Sequence, residues 1–198
     1  MGDPHQERGD KTLEKPVELI PLFCVRCSTP LPAQPDEVAW VCAQCGQGLL
    51  LDEDHGLEKL EVHFSTAIPP NAAGKPFWVA EGTVTLTRET YDSRGSRNND
   101  ALAFWAGTRL FFVPAFATNL EQLLSIGASL VKNPPVLESA DERIAAGTRF
   151  DPVVLPMQDV RSAADFIVVA IEAERKDKLK VIEHTLELSY PVLWILPG

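Results

Sequence analysis

The pattern of apolar and polar positions is most regular between Phe77 and Tyr91. Every second residue from Trp78 to Leu86 is apolar or glycine, and from Glu81 onward the residues between them are polar. A period of two is that of a strand with one buried face and one wetted face. The sequence therefore predicts a half-buried strand over residues 77–91.

The next apolar stretch, residues 101–116, predicts a second strand. Both of its alternating faces are apolar apart from Thr108 and Arg109, which indicates a strand covered on both sides. Pro114 has no amide hydrogen to donate and is expected to end the pairing. The polar residues 92–100 between the two strands predict a loop at a hairpin tip.

Shorter alternating stretches predict further strands at residues 60–68, 179–190 and 191–198. In the first, Val62 and Phe64 share one face and His63 lies on the other, which makes His63 a surface or interface residue. In the second, His184 lies on the apolar face with Leu186, so we expect a core or rim histidine there.

Two helices are predicted in the second half of the chain. Thr118 and Glu121 have the spacing of a capping box, and Asn133 with the two prolines after it ends this helix. Its apolar stripe consists of Leu120, Leu123, Leu124, Leu130 and Val131. The other helix runs from Asp159 or Ser162 to about Arg175, although FIVVAI within it is β-branched enough to form a strand instead. Between the helices, residues 136–150 predict a short helical turn and then an extended piece.

All four cysteines lie in one short segment as two C-x-x-C pairs, Cys24/Cys27 and Cys42/Cys45, with fourteen residues between the pairs. This spacing is typical of a zinc site with four thiolate ligands. Gly46 and Gly48 follow the second pair and permit a turn with positive φ. Two disulfides are the alternative if the protein is exported, since thiols persist in a reducing compartment.

Residues 21–52 resemble a zinc ribbon of the rubredoxin-like kind, a small β module built on two C-x-x-C knuckles. Strands at 38–41 and 49–51 fit this module, and the remainder of the chain resembles no family known to us. The resemblance implies one structural Zn²⁺ per chain held by Cys24, Cys27, Cys42 and Cys45. Such sites also accept iron, but Phe23 and Trp40 are the only aromatic residues of the segment, which favours zinc.

Together these patterns predict an α+β fold with an N-terminal zinc ribbon and a mainly antiparallel sheet domain that carries two or three packed helices. The polar residues 1–16 are predicted to be a disordered or extended tail. Residues 17–56 form the zinc ribbon in this interpretation, and residues 57–198 form the α+β domain.

The charge of the chain narrows the classes of function that we expect. The formal net charge is −10, whereas nucleic-acid binding relies on clustered Lys and Arg. Arg26 is the only basic residue between Pro21 and Asp52, so direct nucleic-acid binding is not expected. The sequence shows no secretory signal and no apolar run long enough for a membrane span, which predicts a cytoplasmic protein.

We expect a non-catalytic interaction module or subunit of a larger assembly, with structural zinc. A zinc ion held by four thiolates has no open position to activate water. A protein partner or a second copy of the chain would pack on the ribbon and on the aromatic residues of the sheet. These are Trp78, Phe104, Trp105, Phe111, Phe112, Phe116 and Trp194.

Three alternatives remain open at this point. One is an enzyme of unrecognised class in the C-terminal domain, with Asp151, Glu183 and His184, or the pair Arg88 and Arg109, as its polar groups. Another is a thiol-redox protein that releases zinc on oxidation, and the third is a nucleic-acid-associated protein. The acidic residues 52–54 beside His55 form a solvated linker or, as an alternative, a second metal site.

Overall fold

The computed structural model of the chain describes residues 21–52, 54–90, 95–140, 148–175 and 179–198. Within these ranges it forms three α-helices and nine strands, so the predicted α+β class is confirmed. The strands are β1 (Ala39–Val41), β2 (Gly48–Asp52), β3 (Gly56–Leu60), β4 (Val62–Phe64), β5 (Ala73–Thr90), β6 (Arg109–Pro114), β7 (Arg149–Phe150), β8 (Leu179–Leu188) and β9 (Val192–Pro197). The helices are α1 (Gly95–Trp105), α2 (Leu120–Lys132) and α3 (Val160–Ala173).

Strands β1, β2 and β3 form a small antiparallel sheet in that order. Strands β1 and β2 lie where they were predicted, but the sheet has a third strand because the chain turns back at Asp52 and pairs residues 56–60 with β2. The domain boundary predicted between residues 56 and 57 lies inside β3, after its first residue. We call residues 21–60 the N-terminal module.

The large sheet is built around β5, which is 18 residues long. The strand order is β4-β9-β5-β6, and β7 and β8 also pair with β5. Pairing is antiparallel except for β4 with β9 and β5 with β7, so the sheet is mainly antiparallel, as predicted. We call this sheet and the three helices the body.

The alternation predicted for β5 is confirmed, with Trp78, Val84 and Leu86 buried and Thr83, Thr85 and Thr87 exposed. Val79 differs from the simple pattern because it is buried as well. The first half of β5 is covered on both faces, and Val79 packs in a second cluster with Phe77, Phe112 and Leu196.

The prediction for residues 95–108 was wrong. Residues 95–105 form α1, whereas a loop and then a strand were predicted, and β6 begins only at Arg109. Ala101 and Trp105 are four residues apart on one face of α1 and are both buried, a spacing that suits a helix as well as an apolar strand. Pro114 is the last residue of β6, as expected.

Helix α2 begins one residue later than predicted. Asn119 is the N-cap, and its side chain accepts a hydrogen bond from the amide of Gln122 at 2.8 Å. The pattern N-x-x-Q therefore forms the capping box in place of Thr118 and Glu121, and Leu120 is 61% exposed, outside the buried stripe. The end at Asn133 is confirmed.

Helix α3 settles the ambiguity between helix and strand at residues 160–173 in favour of the helix. It packs against α2 and across β6 and β8. Its buried Glu172 accepts hydrogen bonds from the Trp105 indole at 2.8 Å and from Arg175 Nε at 2.7 Å, and it pairs with buried Arg88 at 3.3 Å. This network ties α1, α3 and β5 together.

The N-terminal module and the body share one apolar core. Ala39, Leu50 and Leu60 belong to the same buried cluster as Trp78 and Phe111. The backbone continues this contact, because the Val38 amide donates to the Val153 carbonyl at 2.8 Å. The predicted tail at residues 1–16 and residues 141–147 of the predicted helical turn lie outside the described residues.

Candidate metal centre

The two C-x-x-C pairs fold into turns with the same backbone hydrogen bonds. The amide of Ser28 donates to the carbonyl of Cys24, and the amide of Gly46 donates to the carbonyl of Cys42, both at 2.8 Å. The amides of Cys24 and Cys42 in turn donate to the carbonyls of Thr29 and Gln47, both at 2.9 Å. The two turns are thus structural equivalents that face each other.

Each turn ends on a residue with left-handed backbone geometry. Gly46 has φ of 72°, as the sequence led us to expect, and its counterpart Ser28 has φ of 58°. A serine rarely adopts this conformation, so Ser28 as a residue type does not predict it. Only the equivalence with Gly46, four residues after the first cysteine of its pair, could have pointed to it.

The four sulfur atoms lie within 4.8 Å of one another. Across the turns, Cys24 Sγ is 3.6 Å from Cys45 Sγ, and Cys27 Sγ is 3.5 Å from Cys42 Sγ. Zinc–sulfur bonds of about 2.3 Å in a tetrahedron place the sulfurs about 3.8 Å apart. The donor set and its spacing therefore fit a tetrahedral metal ion such as Zn²⁺.

The sulfur cluster is buried on one side and exposed to solvent on the other. Cys24 and Cys42 are buried, whereas Cys27 is exposed. Trp40 packs with the two buried cysteines, together with Leu31 and Leu49. Because Trp40 and Ala39 point to opposite sides of β1, the small sheet supports the sulfur cluster with one face and the body with the other.

The acidity of the thiols reflects their crowding. A hydrogen bond with the Thr29 hydroxyl, at 3.2 Å from the sulfur, lowers the pKa of Cys27 to about 6. A backbone hydrogen bond from Gln47 acts to lower the pKa of Cys45, but desolvation and the three other sulfurs outweigh it and raise that pKa to about 12. Burial raises the pKa of Cys24, and backbone hydrogen bonds from Arg26 and Cys27 more than offset it, so the pKa is lowered.

Four thiolates cannot accumulate at this spacing without a cation, since each new negative charge repels the others. Desolvation and the neighbouring sulfurs raise the pKa of Cys45 in the absence of such a cation. A bound divalent metal reverses it and keeps coordinated thiols deprotonated. The thiol chemistry of the site is therefore suited to holding a metal ion.

Of the acidic patch, Asp52 and Asp54 lie with His55 in the turn between β2 and β3, and Glu53 lies outside the described residues. Asp52 Oδ1 accepts hydrogen bonds from the amides of Asp54 and His55 and lies 2.9 Å from His55 Nδ1. Among the described residues, the four cysteines are the only group of three or more ligand side chains arranged for a metal ion. Asp52 and His55 thus close the turn between β2 and β3.

The residues of the enzyme alternative have separate partners. Asp151 pairs with Lys75 at 2.5 Å, and His184 pairs with Asp165 at 3.0 Å. Glu183 lies on the exposed face of β8. The predicted Asp151, Glu183 and His184 group is therefore not joined by direct contacts.

The two arginines of the enzyme alternative are also engaged within the fold. Arg88 is buried beside Glu172. Arg109 donates from Nε and one terminal nitrogen to the Phe104 carbonyl, at 3.0 and 2.6 Å, and stacks on the Phe104 ring.

Comparisons of the chain with protein-family models, with curated proteins and with solved structures return no match. In the part of the chain that the structure describes, no helix combines the length and the apolar character needed to cross a membrane.

Proposed function

We propose that the chain is a non-catalytic interaction module or subunit whose N-terminal part is a rubredoxin-like zinc ribbon. One Zn²⁺ is held by Cys24, Cys27, Cys42 and Cys45. The observation that supports the zinc site is the pair of equivalent cysteine turns, which place four sulfurs within 4.8 Å of one another.

A structural role of the metal follows from the donor set. Four thiolates complete the tetrahedral coordination of zinc, so no position is left for water or substrate. The N-terminal module has a small apolar cluster around Trp40, and metal ligation supplies folding free energy to such modules.

Exposed apolar residues support the role in interaction. Phe23 and Val25 flank Cys24 and are 49% and 47% exposed. On α3, Phe166 and Val169 are also exposed. Of the aromatic residues expected to meet a partner, however, Trp78, Trp105, Phe111 and Phe112 are buried in the chain's own core.

The first test is metal analysis of the purified chain. We expect about one zinc per chain, and loss of zinc and of solubility in the variants Cys24→Ser and Cys45→Ser. Iron with visible absorption, or a wild-type chain that is purified without zinc, would contradict the zinc assignment.

The role in interaction is tested separately. Affinity capture of the zinc-loaded chain from its own cell, together with light scattering, should reveal a partner or a second copy. A strict monomer that captures nothing would remove this part of the proposal and leave the zinc site untouched.

A further inference from the structure

A cleft lies between the N-terminal module and the body. Its volume is about 610 Å³, within the usual range for ligand sites. One lip is the outer loop of the module, residues 31–37, which contributes Gln34, Pro35 and Asp36. The other walls come from the loop after β6, from α2 and from residues 151–155.

We infer that this cleft binds an extended peptide segment that carries apolar side chains and at least one arginine or lysine. The inference rests on the proposed function as an interaction module and names the partner chemistry. Three observations support it, namely a rigid frame, an apolar lining with carboxylates, and a second groove that shares one wall with the first.

The frame of the cleft is fixed before any ligand arrives. The outer loop contains a tight turn in which the Glu37 amide donates to the Gln34 carbonyl at 3.3 Å and the Glu37 carboxylate accepts from the Gln34 amide at 3.0 Å. Pro35 restricts φ at the second position, and Asp36 at the third has φ of 65°. The loop is therefore held by both its sequence and its hydrogen bonds.

The opposite wall is equally constrained. The Ala115 carbonyl accepts from the amides of Val154 and Leu155 at 2.7 and 3.1 Å. The Trp78 indole donates to the Leu155 carbonyl at 2.8 Å. A preformed site of this kind loses little conformational entropy on binding, which favours affinity for a short peptide.

The lining combines apolar surface with negative charge. Pro114, Phe116, Leu123 and Val154 supply apolar side chains, whereas its ionisable side chains are Asp36 and Asp151. Lys75 pairs with Asp151, so Asp36 carries the uncompensated charge at the lip. An arginine or lysine in an apolar segment complements this distribution.

A second groove of about 460 Å³ adjoins the first. Phe116, Ala117 and Thr118 line both grooves. The second groove continues along α2 past Gln122 and adds the Glu121 carboxylate and Lys75, the cation that pairs with Asp151. Two grooves that share one wall suit an extended chain better than a single compact ligand.

The test uses the full zinc-loaded chain labelled with ¹⁵N and three blocked heptapeptides, GLPRLPG, GLPQLPG and GLPELPG. We expect GLPRLPG to bind best and to shift amide resonances of the cleft walls. Raising the salt concentration should weaken GLPRLPG more than GLPQLPG, because only the former forms an ion pair. Equal binding of GLPRLPG and GLPELPG, or no binding of any peptide, would overturn the inference.

Matched variants localise the site. Asp36→Asn should weaken GLPRLPG by about twofold to fivefold, the size of an exposed ion pair. Glu187→Gln makes the same charge change on the exposed face of β8 and should have no effect. Thr118→Arg fills the shared wall with a large side chain of the same charge as the peptide arginine, and should weaken binding by at least about tenfold. Thr83→Arg adds the same side chain on the exposed face of β5 and should not weaken binding.

A failure of this inference differs from a failure of the proposed function. If Thr118→Arg keeps its zinc and still captures the wild-type partners, the cleft is not the docking site and the chain remains an interaction module. If both arginine variants weaken the peptide equally, the binding is nonspecific and the cleft assignment fails.

Discussion

Ser28 and Gly46 occupy equivalent positions in the two cysteine turns, yet one carries a side chain and the other does not. Left-handed geometry costs a non-glycine residue about 1–2 kcal/mol. The Ser28 turn therefore folds against a local penalty that the Gly46 turn does not have.

Substitution of these residues should destabilise the chain at Gly46 but not at Ser28. Ser28→Gly should leave the free energy of unfolding unchanged or raise it by up to about 1 kcal/mol, because relief of strain is partly offset by the entropy of an unfolded glycine. Gly46→Ala should lower it by about 1–2 kcal/mol, with no clash, since nothing lies within 4 Å of an added Cβ. Chemical denaturation of the zinc-loaded chains measures both, and equal losses would contradict the strain argument.

His55 provides a prediction about pH. Its hydrogen bond and charge interaction with Asp52 raise the pKa of His55 above the ordinary 6.5. Since the folded-state pKa is raised, the pair stabilises the turn fully below about pH 6.5, and that contribution is lost as pH rises through the raised value. NMR titration should therefore place the His55 pKa above 6.5.

The Asp52→Asn variant isolates the charge in this turn. The asparagine oxygen can still accept from the amides of Asp54 and His55, so the turn is kept while the pKa of His55 falls. Glu58→Gln, which removes a weaker charge interaction, should lower it less. An unchanged His55 pKa in Asp52→Asn would show that the ring does not interact with Asp52 in solution.

At the scale of single residues, the sequence was sufficient for the cysteines and insufficient for their surroundings. Ligand spacing depends on the chain alone, because two residues between cysteines place both sulfurs on one turn. The hydrogen bond between Thr29 and Cys27 and the left-handed backbone of Ser28 depend on how the turn closes. The residue types alone do not determine that geometry.

The elements show where periodicity succeeds and where it fails. β5 was predictable because, throughout its second half, one face is exposed to solvent and the other is buried. α1 was not, because residues 101–105 are apolar at every position, and an unbroken apolar run has no period. A tertiary contact favours the helix, since the Trp105 indole donates a hydrogen bond to the buried Glu172 of α3.

The contact between α2 and α3 depends on Gly127. A Cβ at this position would lie 2.4 Å from Ile167 Cδ1, 2.9 Å from Ile167 Cγ1 and 3.3 Å from the Phe112 carbonyl oxygen. Gly127→Ala should therefore lower the free energy of unfolding by about 1–2 kcal/mol, since overpacking exceeds the gain in helix propensity.

A double variant tests the cause of this loss. Ile167→Val removes the Cδ1 atom that the new methyl would strike, so Gly127→Ala should cost less in that background than in the wild type. Ser125→Ala, at an exposed position of α2, increases helix propensity without adding a contact and should not lower the free energy of unfolding. Additive effects of Gly127→Ala and Ile167→Val would show that the two side chains do not compete for space.

At the scale of the whole molecule, the shared core makes the N-terminal module and the body interdependent. Ala39, Leu50 and Leu60 lie in the main apolar cluster, so loss of order in the N-terminal module exposes the body. This coupling could not be foreseen from the sequence, because a zinc ribbon and a sheet domain can equally well be separate units.

Removal of zinc should therefore destabilise the entire chain. A loss of roughly 4 kcal/mol, below the values for isolated zinc fingers, lowers Tm by about 10 °C in a chain of this size. Tryptophan fluorescence and far-UV circular dichroism should report the same shifted transition. A zinc chelator added to the wild-type chain makes this comparison, and a body that melts at an unchanged temperature would contradict the coupling.

The position of β9 has a consequence for biosynthesis. β9 lies between β4 and β5 in the large sheet, and β4 pairs with it alone among the described strands. While the chain is still on the ribosome, β4 and the first half of β5 have been made but lack this neighbour. The nascent chain therefore exposes two strand edges until residues 192–197 emerge, an interval in which a chaperone can protect it from misassembly.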